Sequence, residues 1–107
     1  MKTFSELKKL FEDNSKGTPP YYVDMRNNYK LQIYSGSQEA NIYMCDNKEK
    51  VPVLKFMRQT SESLKVIKCV NGIVVYDDYK VFPIENKITD ICNFVDDAEL
   101  IEAIISL

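Results

Sequence analysis

Hydrophobic residues recur along this chain at two different intervals, and the change of interval divides it. Phe4, Leu7, Leu10 and Phe11 fall within an arc of roughly 120° at about 100° per residue. That spacing predicts an amphipathic helix from Thr3 to about Asn14, with Glu6, Lys9, Glu12 and Asp13 facing water. Thr3 and Glu6 form the T-x-x-E pattern that satisfies free amide donors in a first helical turn. Ser15-Lys16-Gly17-Thr18-Pro19-Pro20 then ends the helix, since glycine suits a C-cap and proline cannot continue.

From Tyr21 onward the pattern alternates. Tyr22–Arg26 reads as a short strand, turned at Asn27-Asn28 into a second strand, Tyr29–Tyr34. In that second strand Tyr29, Leu31 and Ile33 share one face. Ser35-Gly36-Ser37-Gln38 is a turn, and Ala40, Ile42 and Met44 line the inner side of the next strand. Asp46–Lys50 reads as a polar loop. Val51–Met57 follows, where Pro52 lacks a ladder donor and so predicts an edge strand or a strand beginning. An exposed edge near Val51 leaves dimerisation by strand pairing open.

Asn71-Gly72 is the preferred pair for a two-residue hairpin turn, because both positions need positive φ. It joins Leu64–Val70 to Ile73–Asp77. Val66, Lys68 and Val70 are expected to share a face with Ile73 and Val75, while Ile67 and Cys69 meet Val74 and Tyr76. Apolar residues on both faces predict a central hairpin, covered on two sides. Asp77-Asp78 then turns the chain into Tyr79–Phe82, which Pro83 closes.

Ile88 to Leu107 resembles one helix until the angles are followed. Ile91, Cys92 and Val95 lie within about 60° of Ile88, whereas Leu100, Ile101, Ile104 and Ile105 fall on the opposite side. Two helices broken at Asp96-Asp97 remove the conflict. Thr89 is the expected cap of the first, and Asp96 with Glu99 the D-x-x-E cap of the second. The chain therefore reads as a single α+β domain over residues 1–107. It has an N-terminal helix, a five- to six-stranded mainly antiparallel meander sheet and two short C-terminal helices.

Composition removes whole classes of chemistry. With no histidine among 107 residues, Ser/His and Cys/His catalysis and histidine metal sites are excluded. Cys45, Cys69 and Cys92 are widely spaced, without the close pairs of zinc or redox motifs, and read as thiols in a reducing cytoplasm. The isolated glycines Gly17, Gly36 and Gly72 form no phosphate-binding loop. No apolar run approaches the ~20 residues of a membrane-spanning helix. The reading expects no catalytic residues, no metal and no cofactor.

The formal net charge of −2 conceals a gradient. Residues 1–70 hold twelve Lys/Arg and eight Asp/Glu, whereas residues 71–107 hold two and eight. Charge segregation of this kind steers association with an oppositely charged partner. The sequence therefore leads to a non-enzymatic inhibitor that binds protein. An immunity or antitoxin protein, neutralising a basic, nuclease-like toxin, fits the size, the acidity and the missing catalytic groups. Tyr76, Asp77, Asp78, Tyr79, Glu85, Asp96, Asp97 and Glu99 are its candidate contact residues, since aromatics beside charges suit interface hot spots. The competing reading is a nucleic-acid or assembly accessory module. It would use Lys8, Lys9, Lys16, Arg26, Lys30 and Lys55 on phosphates. The acidic balance disfavours that reading.

Overall fold

The chain's structure, a computed structural model, describes residues 2–14, 21–33, 39–46 and 49–107. The expected helix stop at residues 15–20, Tyr34, the turn at 35–38 and residues 47–48 lie outside the described residues. Helix α1 spans Phe4–Asn14. Strands β1 (Tyr21–Asp24), β2 (Tyr29–Ile33), β3 (Glu39–Asp46), β4 (Glu49–Thr60), β5 (Ser63–Val70) and β6 (Ile73–Pro83) follow. They form one six-stranded antiparallel sheet in chain order, a simple meander. A 3-10 turn at Ile88–Ile91 leads into α2 (Cys92–Val95) and α3 (Ala98–Ile105). The architecture is the α+β arrangement expected, with two short C-terminal helices broken where the wheel places the break.

The helices pack on one face of the sheet because only that face alternates strongly apolar residues. Tyr29, Leu31, Ile33, Ala40, Ile42, Leu54, Phe56, Leu64, Val66 and Phe82 are all buried there against Phe4, Leu7 and Phe11 of α1. Phe4 stacks on Phe82 with ring centroids 4.6 Å apart, and Phe11 meets Phe56 at 5.5 Å. Each such side chain taken from water stabilises the fold by about 1.5–3 kcal/mol before entropy is counted. Leu100, Ala103 and Ile104 of α3 complete the same core.

Both ends of the helical layer are tied by hydrogen bonds. Thr3 Oγ1 accepts from the Glu6 amide at 3.2 Å, as the capping pattern predicts. Further α1 donors, the amides of Phe4 and Ser5, reach the carbonyls of Asn86 and Ile84 at 2.9 and 2.8 Å. Asn27 and Asn28 have φ of 59° and 64°, so the β1–β2 turn uses the residue type that best tolerates left-handed backbone. Asn71 (51°) and Gly72 (79°) likewise have positive φ, as the hairpin requires.

The structure corrects several expectations. β4 lies between β3 and β5, and the outer strands of the sheet are β1 and β6; β5 pairs with β4 only from Leu54 onward, so Val51 is paired on the β3 side alone. Pro52 is tolerated because the β3–β4 register shifts beside it, from Ile42↔Leu54 to Tyr43↔Pro52, leaving Val53 as the extra residue. On its other side the β5–β6 turn approaches: a β-carbon on Gly72 would lie 3.7 Å from Pro52 Cδ. The expected loop over Asp46–Lys50 is mostly paired, with Cys45↔Lys50 and Asp46↔Glu49 in register.

Asp77-Asp78 is a bulge within one strand rather than a turn. Between the pairs Ile67↔Tyr79 and Cys69↔Val74, β5 advances two residues and β6 five. Ile67 therefore faces Tyr79, not Tyr76. The β5–β6 hairpin is peripheral, not central, and Val70 and Ile73 at its tip are exposed. Thr89 lies inside the 3-10 turn and caps nothing there, the preceding position being Lys87. The cap of α3 is Asp97, whose Oδ1 accepts from the amides of Glu99 and Leu100 at 3.1 and 3.2 Å. Asp96 instead ends α2 in left-handed backbone, with φ of 50°.

Candidate functional site

Four of the eight candidate residues lie together. Tyr76, Asp77 and Asp78 occupy the β6 bulge and Tyr79 follows directly, all four exposed to solvent. Tyr76 is 59% and Tyr79 48% exposed, high values for tyrosine in a strand. A bulge re-aims side chains and breaks the ladder, so this stretch of the edge offers side chains rather than a regular row of backbone groups. Lys65 on the neighbouring strand sets its ammonium 4.0 Å from the Tyr79 ring centroid, which steadies the ring. Glu85 is exposed in the turn just after β6.

Asp96, Asp97 and Glu99 lie elsewhere. The carbonyl of Glu99 accepts from Asn27 Nδ2 at 2.9 Å, which places the start of α3 beside the β1–β2 turn. Glu102, one turn further on, approaches Arg26 at 3.8 Å. Asp97 and Glu99 act electrostatically on Tyr29 of β2: burial pushes its hydroxyl above the ordinary 10.0, and these two carboxylates push it further. β2 and β6 are four strands apart, about 19 Å across a sheet at ~4.8 Å per step, so the start of α3 is remote from β6, whereas Phe94 of α2 packs on Phe82 of β6 at 6.5 Å. The structure thus holds two acidic patches, one on the β6 edge and one at the junction of α2 and α3.

The lysines proposed for phosphate contact are largely engaged. Lys55 Nζ pairs with Glu39 at 3.0 Å, Lys30 lies 3.7 Å from Asp24, and Lys8 donates to the Ser61 carbonyl at 3.4 Å. Arg26 faces Glu102, and Lys16 lies outside the described residues.

Sequence reasoning missed a row of residues on the sheet face opposite the helices. The registers align Tyr22, Gln32, Asn41, Lys55, Ile67 and Tyr79 directly across all six strands. No described helix lies on this face, yet Asn41 and Lys55 are only 7% and 9% exposed and Ile67 is fully buried. Ile67 stands outside the main core cluster, so its burial comes from this side of the sheet. Gln32 Nε2 donates to the Tyr22 hydroxyl at 3.2 Å, while Gln32 Oε1 is buried without a hydrogen-bond partner. Lys50, three strands from β1, brings its ammonium to 4.3 Å from the Tyr22 ring centroid. Alternating polar residues such as Lys30/Gln32 and Glu39/Asn41/Tyr43 signal this face in the sequence, but only the register assembles the row.

The three thiols Cys45, Cys69 and Cys92 are unpaired and half-buried. Burial pushes the Cys69 thiol up, and the positive charge of Lys55 partly offsets it. Among the described residues, no group of three or more cysteines or carboxylates is placed to hold a metal ion. No helix among them is long and apolar enough to cross a membrane. Comparison of the chain with protein-family models, curated proteins and solved structures finds no match.

Proposed function

We propose that the protein is a non-enzymatic inhibitor of the immunity or antitoxin type, which captures a basic, nuclease-like toxin through an acidic surface. The observation that carries this reading is the β6 bulge, where two exposed carboxylates stand between two exposed tyrosines. Tyrosine supplies a large, stiff contact area, and adjacent carboxylates accelerate encounter with a cationic surface. The α2–α3 patch of Asp96, Asp97 and Glu99 belongs to the helical layer rather than the β6 edge and adds to long-range steering. A cytoplasmic location belongs to the same proposal and agrees with three unpaired cysteines.

Purification of the tagged chain from its native cell tests the reading. A co-purifying basic protein with nuclease activity, inhibited by stoichiometric addition of the chain, is the expected result. The double variant Asp77→Asn/Asp78→Asn should slow its association and flatten the salt dependence, while Asp96→Asn should do so less. A captured nuclease that remains fully active in the complex, or association indifferent to Asp77 and Asp78, would overturn the reading.

A further inference from the structure

We propose that the helix-free face of the sheet is a platform for single-stranded nucleic acid. This goes beyond the inhibitor reading and does not rest on it. The face has three properties such a ligand requires, and each comes from a different observation.

The first is local charge. Strand alternation places Lys30, Lys50, Lys55 and Lys65 on this face; Lys30 and Lys55 face Asp24 and Glu39, so Lys50 and Lys65 carry its excess charge among the described residues. A chain with net charge −2 therefore presents a sheet face of opposite sign. The acidic residues of α3 lie on the opposite side of the sheet from this face.

The second is the pairing of aromatic with cation at both ends of one row. Tyr22 on β1 and Tyr79 on β6 are both about half exposed, and each has a lysine ammonium over its ring, at 4.3 Å and 4.0 Å. Five inter-strand steps separate them, about 24 Å along the sheet at ~4.8 Å per step. A tyrosine ring accepts any base by stacking, and a neighbouring ammonium meets the phosphate beside that base. Two such units at this separation suit a strand crossing the sheet, not a single small molecule.

The third is the polar floor between them. Gln32, Asn41 and Lys55 lie side by side in the row, and the buried Oε1 of Gln32 has no donor. An orphaned buried acceptor costs about 1–3 kcal/mol, and a base donor relieves it once binding swings aside the Tyr22 side chain that Gln32 Nε2 holds.

Fluorescence anisotropy with labelled single-stranded oligonucleotides of about twelve nucleotides, oligo(dT) and oligo(U), tests the proposal at low salt. Saturable binding is expected, with log K falling against log salt by about 0.7 per phosphate contacted. Tyr22→Ala and Tyr79→Ala should each weaken it by about 5- to 150-fold, corresponding to ~1–3 kcal/mol per stacked base. Tyr22→Phe and Tyr79→Phe keep the ring and should retain binding, which separates stacking from any loss of fold. Lys50→Glu/Lys65→Glu should lower both the affinity and the salt slope. Asp77→Asn/Asp78→Asn should leave oligonucleotide binding unweakened, and Tyr22→Ala should leave toxin capture unchanged, which separates the two readings although both use Tyr79. Absence of binding at low salt overturns the proposal. So does equal affinity for a duplex of the same sequence, which cannot stack on the rings. Equal competition by poly-glutamate also overturns it, pointing to an acidic protein instead.

Discussion

The side chain of Asn27 donates to the backbone carbonyl of Glu99 at 2.9 Å, joining the β1–β2 turn to helix α3 across 72 residues of sequence. Asn27 itself sits at φ 59°, so the residue has two duties: left-handed backbone and a tertiary hydrogen bond. Asn27→Ala removes both and should cost about 1–3 kcal/mol, combining a lost hydrogen bond with the left-handed penalty of an ordinary residue. Asn27→Gly removes the bond but relieves the backbone, so it should cost less than Asn27→Ala. Urea denaturation of both variants separates the two contributions.

The caps of the C-terminal helices give a second, asymmetric pair. Asp97→Ala leaves the amides of Glu99 and Leu100 without their acceptor and should cost about 1 kcal/mol. Asp96→Gly should be neutral or stabilising by up to about 1 kcal/mol, because φ 50° strains any residue with a β-carbon. Thermal midpoints moving the same way in both variants would contradict the capping assignment.

Tyr29 predicts an alkaline limit to stability. Its hydroxyl titrates above the ordinary 10.0 in the folded chain, through burial first and then Asp97 and Glu99. The unfolded chain then loses this proton before the folded one does, so stability is full below about pH 10 and falls as pH rises toward the folded value. Tyr29→Phe should shed part of that alkaline loss. Absorbance titration near 295 nm, compared with Tyr29→Phe, should show Tyr29 titrating late, and earlier in Asp97→Asn/Glu99→Gln.

Ile67 tests whether the helix-free face is packed. It is fully buried although it points away from the main core. Ile67→Ala should cost about 2–5 kcal/mol, as an interior truncation does, and Ile67→Val about 0.5–1.5. Lys65→Ala, two residues away on the same face as Tyr79, should change stability far less. A small loss for Ile67→Ala, below about 1 kcal/mol, would mean a loosely covered face.

Much of the fold was legible in periodicity. Phe4, Leu7 and Phe11 are buried, Tyr29, Leu31 and Ile33 line one face, and the helix break falls at Asp96-Asp97. What periodicity could not resolve was pairing. A turn and a bulge at Asp77-Asp78 interrupt alternation in the same way, and only Tyr79 opposite Ile67 distinguishes them. Pro52 forbids a regular ladder without saying whether a bulge or an edge accommodates it. Adjacent Asp96 and Asp97 are equally good caps by composition, and backbone geometry selects the second. The candidate contact residues were recognisable as exposed, but their separation into two patches depends on strand order. The row from Tyr22 to Tyr79 draws one residue from each strand, so no stretch of sequence contains it.

The amides of Phe4 and Ser5 bond to the carbonyls of Asn86 and Ile84, the Ile88 amide bonds to the carbonyl of Lys2, and Thr3 bridges Lys87. The meander between these segments pairs only neighbours, so each hairpin can form as soon as it is made. The first helix cannot dock in the same order. During synthesis it precedes the sheet, yet its seat is completed only when residues 84–88 follow, with the growing sheet's apolar face uncovered meanwhile. The nascent chain must carry an unsettled amphipathic segment while the whole sheet is made, which makes this helix the natural point of contact for a chaperone.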